Sequence, residues 1–300
     1  MRVLAMTGAL ILAIGTAAAQ QQGPAQFSRE WYQQFSGAYS DPIEPFRIVG
    51  NIHYVGAANI ASYLIATPQG HILIDTGMNE MHDGITRSIE KLGFKLADIK
   101  IMLSSHAHFD HVEGHAEMQR LSGATVMAVG EDAAALSAGQ DNSALGGPGW
   151  NPVKVGRILR DGDTVTLGGT TLTAHLTAGH TKGCTTWMTT VADGGKSLRV
   201  VFVGGTSVNQ GVQLLDNARH PSIVADYDRT FKVLKELQAD IFLAQHPNMF
   251  QMEGKVARMN AGKGNPFVDP EGYRAFVAAS EESYRAQLQR ERAGRAQRQP

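Results

Sequence analysis

The sequence predicts one α/β domain built in four layers, with two strand-rich halves that helices cover on the outside. Short apolar runs typical of buried strands, such as 101–103 and 200–203, alternate with stretches whose apolar positions recur at helical spacing. The second half repeats the layout of the first, and no linker separates them, which favours a single domain. A cluster of His and Asp residues at 104–111 directly follows one apolar run and is the candidate site of this fold.

Composition permits a large core and argues against several classes of partner. Of the 300 residues 43% are hydrophobic and 18% are charged, and the formal net charge is −1. Because no sustained Lys/Arg block precedes the tail, nucleic acid is not an expected partner. Cys184 is the one cysteine, which excludes an intramolecular disulfide and a multi-cysteine zinc site. We expect Cys184 to be a small packing residue, with a reactive thiol as the alternative if it is exposed.

The N-terminus has the features of a targeting segment. Arg2 supplies a positive charge, residues 3–14 are apolar, and 17–19 offer a small-residue cleavage site, so 1–19 is predicted to be a signal peptide. A retained anchor is the alternative, but the apolar stretch is shorter than the ~20 residues that span a bilayer. We therefore expect export, to the periplasm if the source is Gram-negative, and no membrane association after the signal is removed.

The mature chain, 20–300, is expected to form the single domain, with a core over 45–250. Aromatic residues between 20 and 46 have helical spacing, which predicts a short helix that packs on the domain, with the mouth of the site as one place for it. Asn79 is a candidate cap for a helix that Gly93 ends. The other elements predicted in the first half are strands at 46–55, 60–67, 71–75, 100–104 and 124–129 and a helix at 113–121.

The second half starts after a long Gly/Pro-rich loop at 140–152, which either lines a site or is surface filler. Asp269 followed by Pro270 predicts the start of a C-terminal helix over 269–292, beyond which the Arg/Gln-rich tail is expected to fray. The remaining predicted elements are strands at 164–167, 170–176, 184–191, 200–203 and 241–244 and a helix near 222–238.

The residues at 104–111 carry four potential metal ligands within six positions, namely His106, His108, Asp110 and His111. Imidazole nitrogens and a carboxylate without a nearby thiolate suit Zn²⁺. A catalytic zinc usually takes three protein ligands, so four in one short stretch indicate two metals side by side. His180 and His246 also follow strands, but each alone is as well explained as a hydrogen-bonded turn or strand-end residue.

The run His-x-His-x-Asp-His at 106–111 resembles the signature of the metallo-β-lactamase superfamily, whose members bind one or two metals in an αββα sandwich. The resemblance implies two zinc ions per chain. His106, His108 and His180 would hold the first, and Asp110, His111 and His246 would hold the second. The remaining histidines are left out of the site: His53, His71, His82, His115, His175 and His220.

Within that superfamily the chain resembles the third subclass of metallo-β-lactamases. Residues 204–206 read Gly-Gly-Thr, without the bridging Asp that thioesterases and many other binuclear members place there. Position 106 is His, whereas the second subclass has Asn there. Position 206 is Thr, whereas the first subclass has a ligating Cys at about that place. The chain departs from several members of the third subclass because it cannot form their C-terminal disulfide.

This resemblance implies zinc-dependent hydrolysis of the β-lactam amide bond, including that of carbapenems, by a hydroxide generated at the metal site. Asp110 would orient the hydroxide, and Thr206 and Ser207 are candidates to bind the substrate carboxylate. Asp75 is the candidate for orienting a ligating imidazole, with turn capping as the alternative. The alternatives for the whole protein are a lactonase, thioesterase or phosphodiesterase of the same fold, or a zinc-binding protein without activity. We expect a monomer.

Overall fold

The computed structural model describes residues 28–262 and 264–297, and the predicted signal peptide at 1–19 lies outside the described residues. A helix comes first, two sheets follow in succession, and a long helix comes last. Over the described part of the chain, no helix combines the length and the apolar character needed to cross a membrane.

The first half of the chain forms a seven-stranded sheet. Its strands are Phe46–Val49 (β1), Ile52–Tyr54 (β2), Tyr63–Thr67 (β3), Gly70–Ile74 (β4), Ile99–Leu103 (β5), Thr125–Val129 (β6) and Val155–Leu159 (β7). They lie in sequence order across the sheet. β1 to β4 pair antiparallel through tight connections, whereas β4 to β7 pair parallel and need longer connections between them.

The second half forms a five-stranded sheet. Its strands are Thr164–Leu167 (β8), Thr170–Leu176 (β9), Thr185–Asp193 (β10), Lys196–Val203 (β11) and Ile241–Ala244 (β12). β8 to β11 form an antiparallel meander, and β12 pairs parallel to β11. Because of that parallel pairing, the carboxyl ends of β11 and β12 meet at the same edge of the sheet.

Helices cover the outer face of each sheet. The α-helices of the described residues are Arg29–Tyr39 (α1), His82–Lys91 (α2), Phe109–Val112 (α3), His115–Ser122 (α4), Gly130–Ala138 (α5), Ile223–Glu236 (α6), Met252–Asn260 (α7) and Pro270–Ala296 (α8). On the first sheet, Leu73 and Met102 belong to the same apolar cluster as Ile85 and Ile89 of α2. On the second sheet, α6 and α8 pack through stacked aromatic rings, including Tyr227 on Tyr284 at 4.9 Å.

The two sheets pack face to face because their strands are apolar on both sides. Ile72 and Ile74 alternate with Leu73 along β4, and they join a core cluster that contains Trp187 of the second sheet, whose side chain is fully buried. The layers therefore run helix, sheet, sheet, helix, and the predicted αββα sandwich is confirmed.

Several predicted boundaries were wrong for local reasons. α2 begins at His82 and Asn79 does not cap it, because residues Asn79–Met81 form a 3₁₀ turn in which the Asn79 backbone N–H donates to Glu113. The helix predicted at 113–121 is α4, which begins at His115, and the short helix α3 before it was missed. Also missed were α5, α7 and β7, and the division of 46–55 into β1 and β2.

The C-terminal helix begins as predicted but ends later. The Asp269 carboxylate accepts a hydrogen bond from the Gly272 backbone N–H at 2.9 Å and caps α8. The helix then continues to Ala296, beyond the predicted end at 292, and residues 298–300 of the tail lie outside the described residues. Side chains in the last turns of α8 contact the loop at 204–222, which stabilises the helix there.

Candidate metal centre

The six side chains selected from the sequence lie together at one edge of the sandwich. His106 and His108 lie in the loop that leaves β5, and Asp110 and His111 lie on the single helical turn α3. His180 lies between β9 and β10, and His246 directly follows β12. Apolar strands that end at the same edge therefore bring together residues that are far apart in the chain.

The first ligand group consists of His106, His108 and His180. Their candidate ligand nitrogens all lie within 4.8 Å of one another, and the ring centroids are 4.6–4.8 Å apart. Burial lowers the pKa of all three, and the neighbouring histidines add to this effect, giving pKa values of about 4 for His108 and about 3 for His180. The three imidazoles are therefore neutral near pH 7, which is the form that binds a metal.

The second ligand group consists of Asp110, His111 and His246, again with ligand atoms within 4.8 Å of one another. One carboxylate oxygen of Asp110 lies 3.2 Å from His111 Nε2 and 3.7 Å from His246 Nε2. Burial opposes charge on His111, but the carboxylates of Asp110 and Asp75 outweigh it and raise the pKa of His111 to about 10. His111 in turn holds the pKa of Asp110 below its usual range, despite the burial of that carboxylate.

The second ligand group fits a divalent cation. Both ring nitrogens of His111 are buried and lack a well-formed hydrogen bond, and the nearest oxygen to Nδ1, from Asp75, is 3.5 Å away. A buried imidazole without such partners is unusual in a folded protein, and a bound metal would supply the missing partner. The donors are nitrogen and carboxylate oxygen, which is the set that zinc accepts.

Hydrogen bonds orient three of the ligating imidazoles. His180 Nδ1 lies 2.7 Å from the Ser207 carbonyl oxygen, and His246 Nδ1 lies 2.9 Å from the Asn59 carbonyl oxygen. A carbonyl only accepts, so Nδ1 carries the proton in each ring and Nε2 is left to bind a metal. His106 Nδ1 lies 3.0 Å from the hydroxyl oxygen of Ser105.

Asp75 anchors this part of the site. Its carboxylate accepts hydrogen bonds from the Ser105 backbone N–H and hydroxyl, both at 2.7 Å, and faces His111 Nδ1. It therefore supports the ligand loop and stands next to an imidazole, as predicted, although its contact with His106 runs through Ser105.

A second buried carboxylate, Asp132, joins the two loops that carry the first ligand group. It accepts hydrogen bonds from the Ala107 N–H at 2.8 Å, the Thr181 hydroxyl at 2.7 Å and the Gly183 N–H at 2.7 Å. Burial raises the pKa of Asp132 to about 6, against the lowering effect of these donors. Sequence reasoning missed Asp132, since the only signal was an acidic residue shortly after the buried strand β6.

The two ligand groups open into a cleft of about 280 Å³. One wall is the N-terminal helix α1, whose Phe35 ring stacks on Tyr39 at 4.1 Å and lies 5.5 Å from Phe109 of the ligand loop. The opposite walls are two loops, at 141–147 and 207–212. The aromatic arm therefore packs at the mouth of the site, and the Gly-rich loop lines it rather than filling surface.

Of the two residues expected to bind the substrate carboxylate, only Ser207 lies at the cleft. Ser207 lines the cleft, whereas Thr206 is buried outside the lining and its hydroxyl donates to Ser280 of α8 at 3.2 Å. A Cβ on Gly205 would collide with the imidazole of His180, so no bridging Asp can occupy that position in this backbone. Cys184 is fully buried, with its sulfur 3.5 Å from the Gly205 carbonyl oxygen, and burial raises its pKa, so it packs rather than reacts.

The histidines that were left out of the site lie in neither ligand group, as far as the described residues extend. His115 is buried, and its Nδ1 lies 2.7 Å from the Thr76 hydroxyl. His220 contacts Asp226 at the start of α6, and His71 packs against Phe94. All three have structural partners away from the cleft.

Comparison with known proteins agrees with this geometry. Residues 55–246 match the family model described as the metallo-beta-lactamase superfamily. The native FEZ-1 metallo-β-lactamase of Legionella gormanii is 40% identical with a TM-score of 0.82, and the match covers 84% of this chain and 98% of that chain. BJP-1, a subclass B3 metallo-β-lactamase of Bradyrhizobium japonicum, is 39% identical with a TM-score of 0.80, and the match covers 85% and 97% of the two chains.

A third solved structure extends the comparison to a protein of environmental origin. MEM-A1, a subclass B3 metallo-β-lactamase from a soil metagenome library, is 34% identical with a TM-score of 0.80, covering 85% of this chain and 99% of that one. The family match, the near-complete coverage of these relatives and the two ligand groups agree: this chain belongs to the metallo-β-lactamase superfamily and, within it, to the third subclass, B3.

Proposed function

We propose that this protein is a zinc-dependent β-lactam hydrolase that holds two zinc ions per chain, one in each ligand group. The observation that carries the proposal is the adjacency of the two groups. The His106 and His111 rings are 4.3 Å apart, and both groups open into the same cleft. When bound, two zinc ions would lower the pKa of a water ligand and polarise the carbonyl oxygen of the substrate.

The side chains of the protein have distinct tasks in this reaction. Hydrolysis adds the oxygen of water to the lactam carbonyl carbon, breaks the C–N bond and leaves a proton on the ring nitrogen. Asp110 accepts a hydrogen bond from the attacking water and so fixes its direction of approach. His180 and His246 keep their orientation through carbonyl oxygens, so little reorganisation is needed when the substrate enters.

The substrate carboxylate is assigned to Ser207. The backbone carbonyl oxygen of Ser207 accepts hydrogen bonds from His180 and from the Tyr227 hydroxyl, the latter at 2.7 Å. These bonds fix Ser207 at the rim of the cleft. Among the described residues that line the cleft there is no Lys or Arg, so hydroxyl and amide groups such as that of Asn209 must recognise the carboxylate. Thr206 supports this loop from behind, through Ser280.

The proposal includes three points that follow from the sequence. Carbapenems are among the substrates, the mature protein is periplasmic after removal of 1–19, and it acts as a monomer. The apolar wall formed by α1 supports the first of these, because its aromatic rings can pack against a small bicyclic β-lactam nucleus.

The proposed function is tested with a panel of substrates. Purified mature protein should hydrolyse nitrocefin and imipenem, and chelation should stop both reactions until zinc is returned. A lactone, a thioester and a phosphodiester, assayed at the same enzyme concentration, should be turned over at least about 100-fold less efficiently, which corresponds to ~2.7 kcal/mol of transition-state discrimination. Efficient turnover of one of these esters without hydrolysis of nitrocefin would assign the site to that ester instead.

A further inference from the structure

The loop at 204–222, which joins β11 to α6, forms part of the cleft wall and has no regular secondary structure. Ser207, Asn209, Gln210 and Val212 line the cleft. A loop of this length needs an external partner to keep one conformation, because it lacks the repeated backbone hydrogen bonds of a helix or strand. The position of the loop therefore depends on the element that packs against its side facing away from the cleft.

That outer contact is the C-terminal half of α8. The Glu291 carboxylate accepts hydrogen bonds from two consecutive backbone N–H groups, Leu214 at 2.9 Å and Leu215 at 2.9 Å. The Gln287 side-chain amide donates to the Val212 carbonyl oxygen at 2.9 Å and to Glu291 Oε1 at 3.1 Å. One turn of α8 thus forms hydrogen bonds with backbone N–H groups and with a backbone carbonyl oxygen of the same short loop segment.

Apolar packing fixes the same segment between these polar contacts. Leu214 is 2% exposed, and its side chain lies in the same core cluster as Leu288 of α8. Val212, which lines the cleft on one side, belongs to this cluster as well. Displacement of the last turns of α8 would therefore reach the cleft wall through Val212 and the neighbouring Leu214.

We propose that Gln287 and Glu291 are positioning residues that hold the 207–215 segment in its substrate-binding conformation. Both residues lie within the helix predicted at 269–292, and the structure places them where α8 meets the loop. Neither side chain lines the cleft, so they act on the substrate only through the loop. The inference rests on the proposed β-lactam hydrolase function for its kinetic consequence, but its structural consequence is independent of that function.

The structural consequence is tested by hydrogen exchange of the zinc-loaded protein. In Glu291→Ala, the Leu214 and Leu215 amides lose their acceptor, and exchange in a peptide covering 212–215 should become at least about 10-fold faster. Glu291→Gln keeps one acceptor oxygen and should show a smaller increase. Glu282→Ala, on the exposed side of the same helix, is the matched control and should exchange as the wild type does.

The kinetic consequence is tested on the same variants with nitrocefin. In Glu291→Ala, KM should rise about five-fold while kcat changes less than about two-fold and zinc content stays the same, since a lost positioning contact removes uniform binding. A variant that only destabilised the fold would lower the melting temperature without this separation of KM from kcat. If Glu291→Ala does not fold, the same measurements are made on Gln287→Ala and Glu291→Gln, for which we expect a smaller rise in KM.

Unchanged exchange at 212–215 would overturn the inference, and so would faster exchange with an unchanged KM. If the wild type does not hydrolyse β-lactams, the proposed function fails, and the exchange measurement alone decides whether α8 orders the loop. The two failures are therefore distinguishable.

Discussion

Replacing His246 with Ala is expected to lower the zinc content of the purified protein from two towards one per chain. His246 contributes one of the three side chains of the second ligand group, and the remaining Asp110 and His111 leave that zinc with too few protein ligands for tight binding. The kcat/KM for nitrocefin should fall by more than the roughly 10–100-fold typical of residues that merely support a ligand. Metal analysis after gel filtration, combined with steady-state kinetics, measures both effects.

The matched control is His175→Ala, which removes a half-buried imidazole of β9 that lies in neither ligand group. This variant should keep two zinc ions and near-normal turnover. His111→Ala should behave like His246→Ala. Two tightly held zinc ions in His246→Ala would show that His246 is not a ligand of the second zinc.

The second large effect is expected for Asp132→Ala. This substitution leaves the Ala107 N–H, the Gly183 N–H and the Thr181 hydroxyl without their common acceptor inside the protein. Leaving buried donors unsatisfied costs about 1–3 kcal/mol for each group. The loops that carry His106, His108 and His180 are then no longer held together by Asp132, so the three ligands are less well positioned. The affinity for zinc should fall about 10–100-fold.

Competition with a chelator of known affinity measures the zinc affinity, and thermal unfolding of the metal-free protein measures the stability loss separately. Asp240→Ala is the matched control, since Asp240 also accepts a backbone N–H, from Arg199 at 2.8 Å, but lies before β12, at the edge opposite His246. It should lose some stability and keep its zinc affinity. If Asp132→Ala lost stability but bound zinc like the control, Asp132 would have no role in the metal site.

The fold was predictable where periodicity was strong. The strands at 164–167, 170–176 and 241–244 have the predicted bounds, because their apolar residues lie between clear turn signals. The helix α5 was missed because its sequence, Gly-Glu-Asp-Ala-Ala-Ala-Leu-Ser-Ala, is rich in Ala and has no helical apolar spacing. The last turn of α8, beyond 292, was missed because its Arg/Gln-rich sequence has no helical apolar spacing, and Arg295 in that turn pairs with Asp216 of a loop distant in sequence.

The metal ligands were more predictable from the sequence than the residues that support them. His106, His108, Asp110 and His111 are adjacent in the sequence and carry a recognisable spacing, whereas His180 and His246 were selected only through the family resemblance. The structure brings all six together. Asp132 and Glu291 were not predictable, because most of their partners are backbone groups, which have no signature in the sequence.

The substrate contacts depended on details of backbone position. Thr206 and Ser207 are neighbours, so sequence alone treats them alike. In the folded chain the Ser207 carbonyl faces His180 and Tyr227 at the rim of the cleft, while the Thr206 hydroxyl faces Ser280.

The measurement that most directly tests the binuclear hydrolase is a zinc titration of the chelator-stripped wild-type protein, followed by nitrocefin turnover. Two adjacent ligand groups with buried donors predict no turnover without metal and a rise that saturates near two zinc ions per chain. Saturation at one zinc ion would contradict a catalytic role for the second ligand group, and full turnover by the stripped protein would contradict the metal-dependent mechanism altogether.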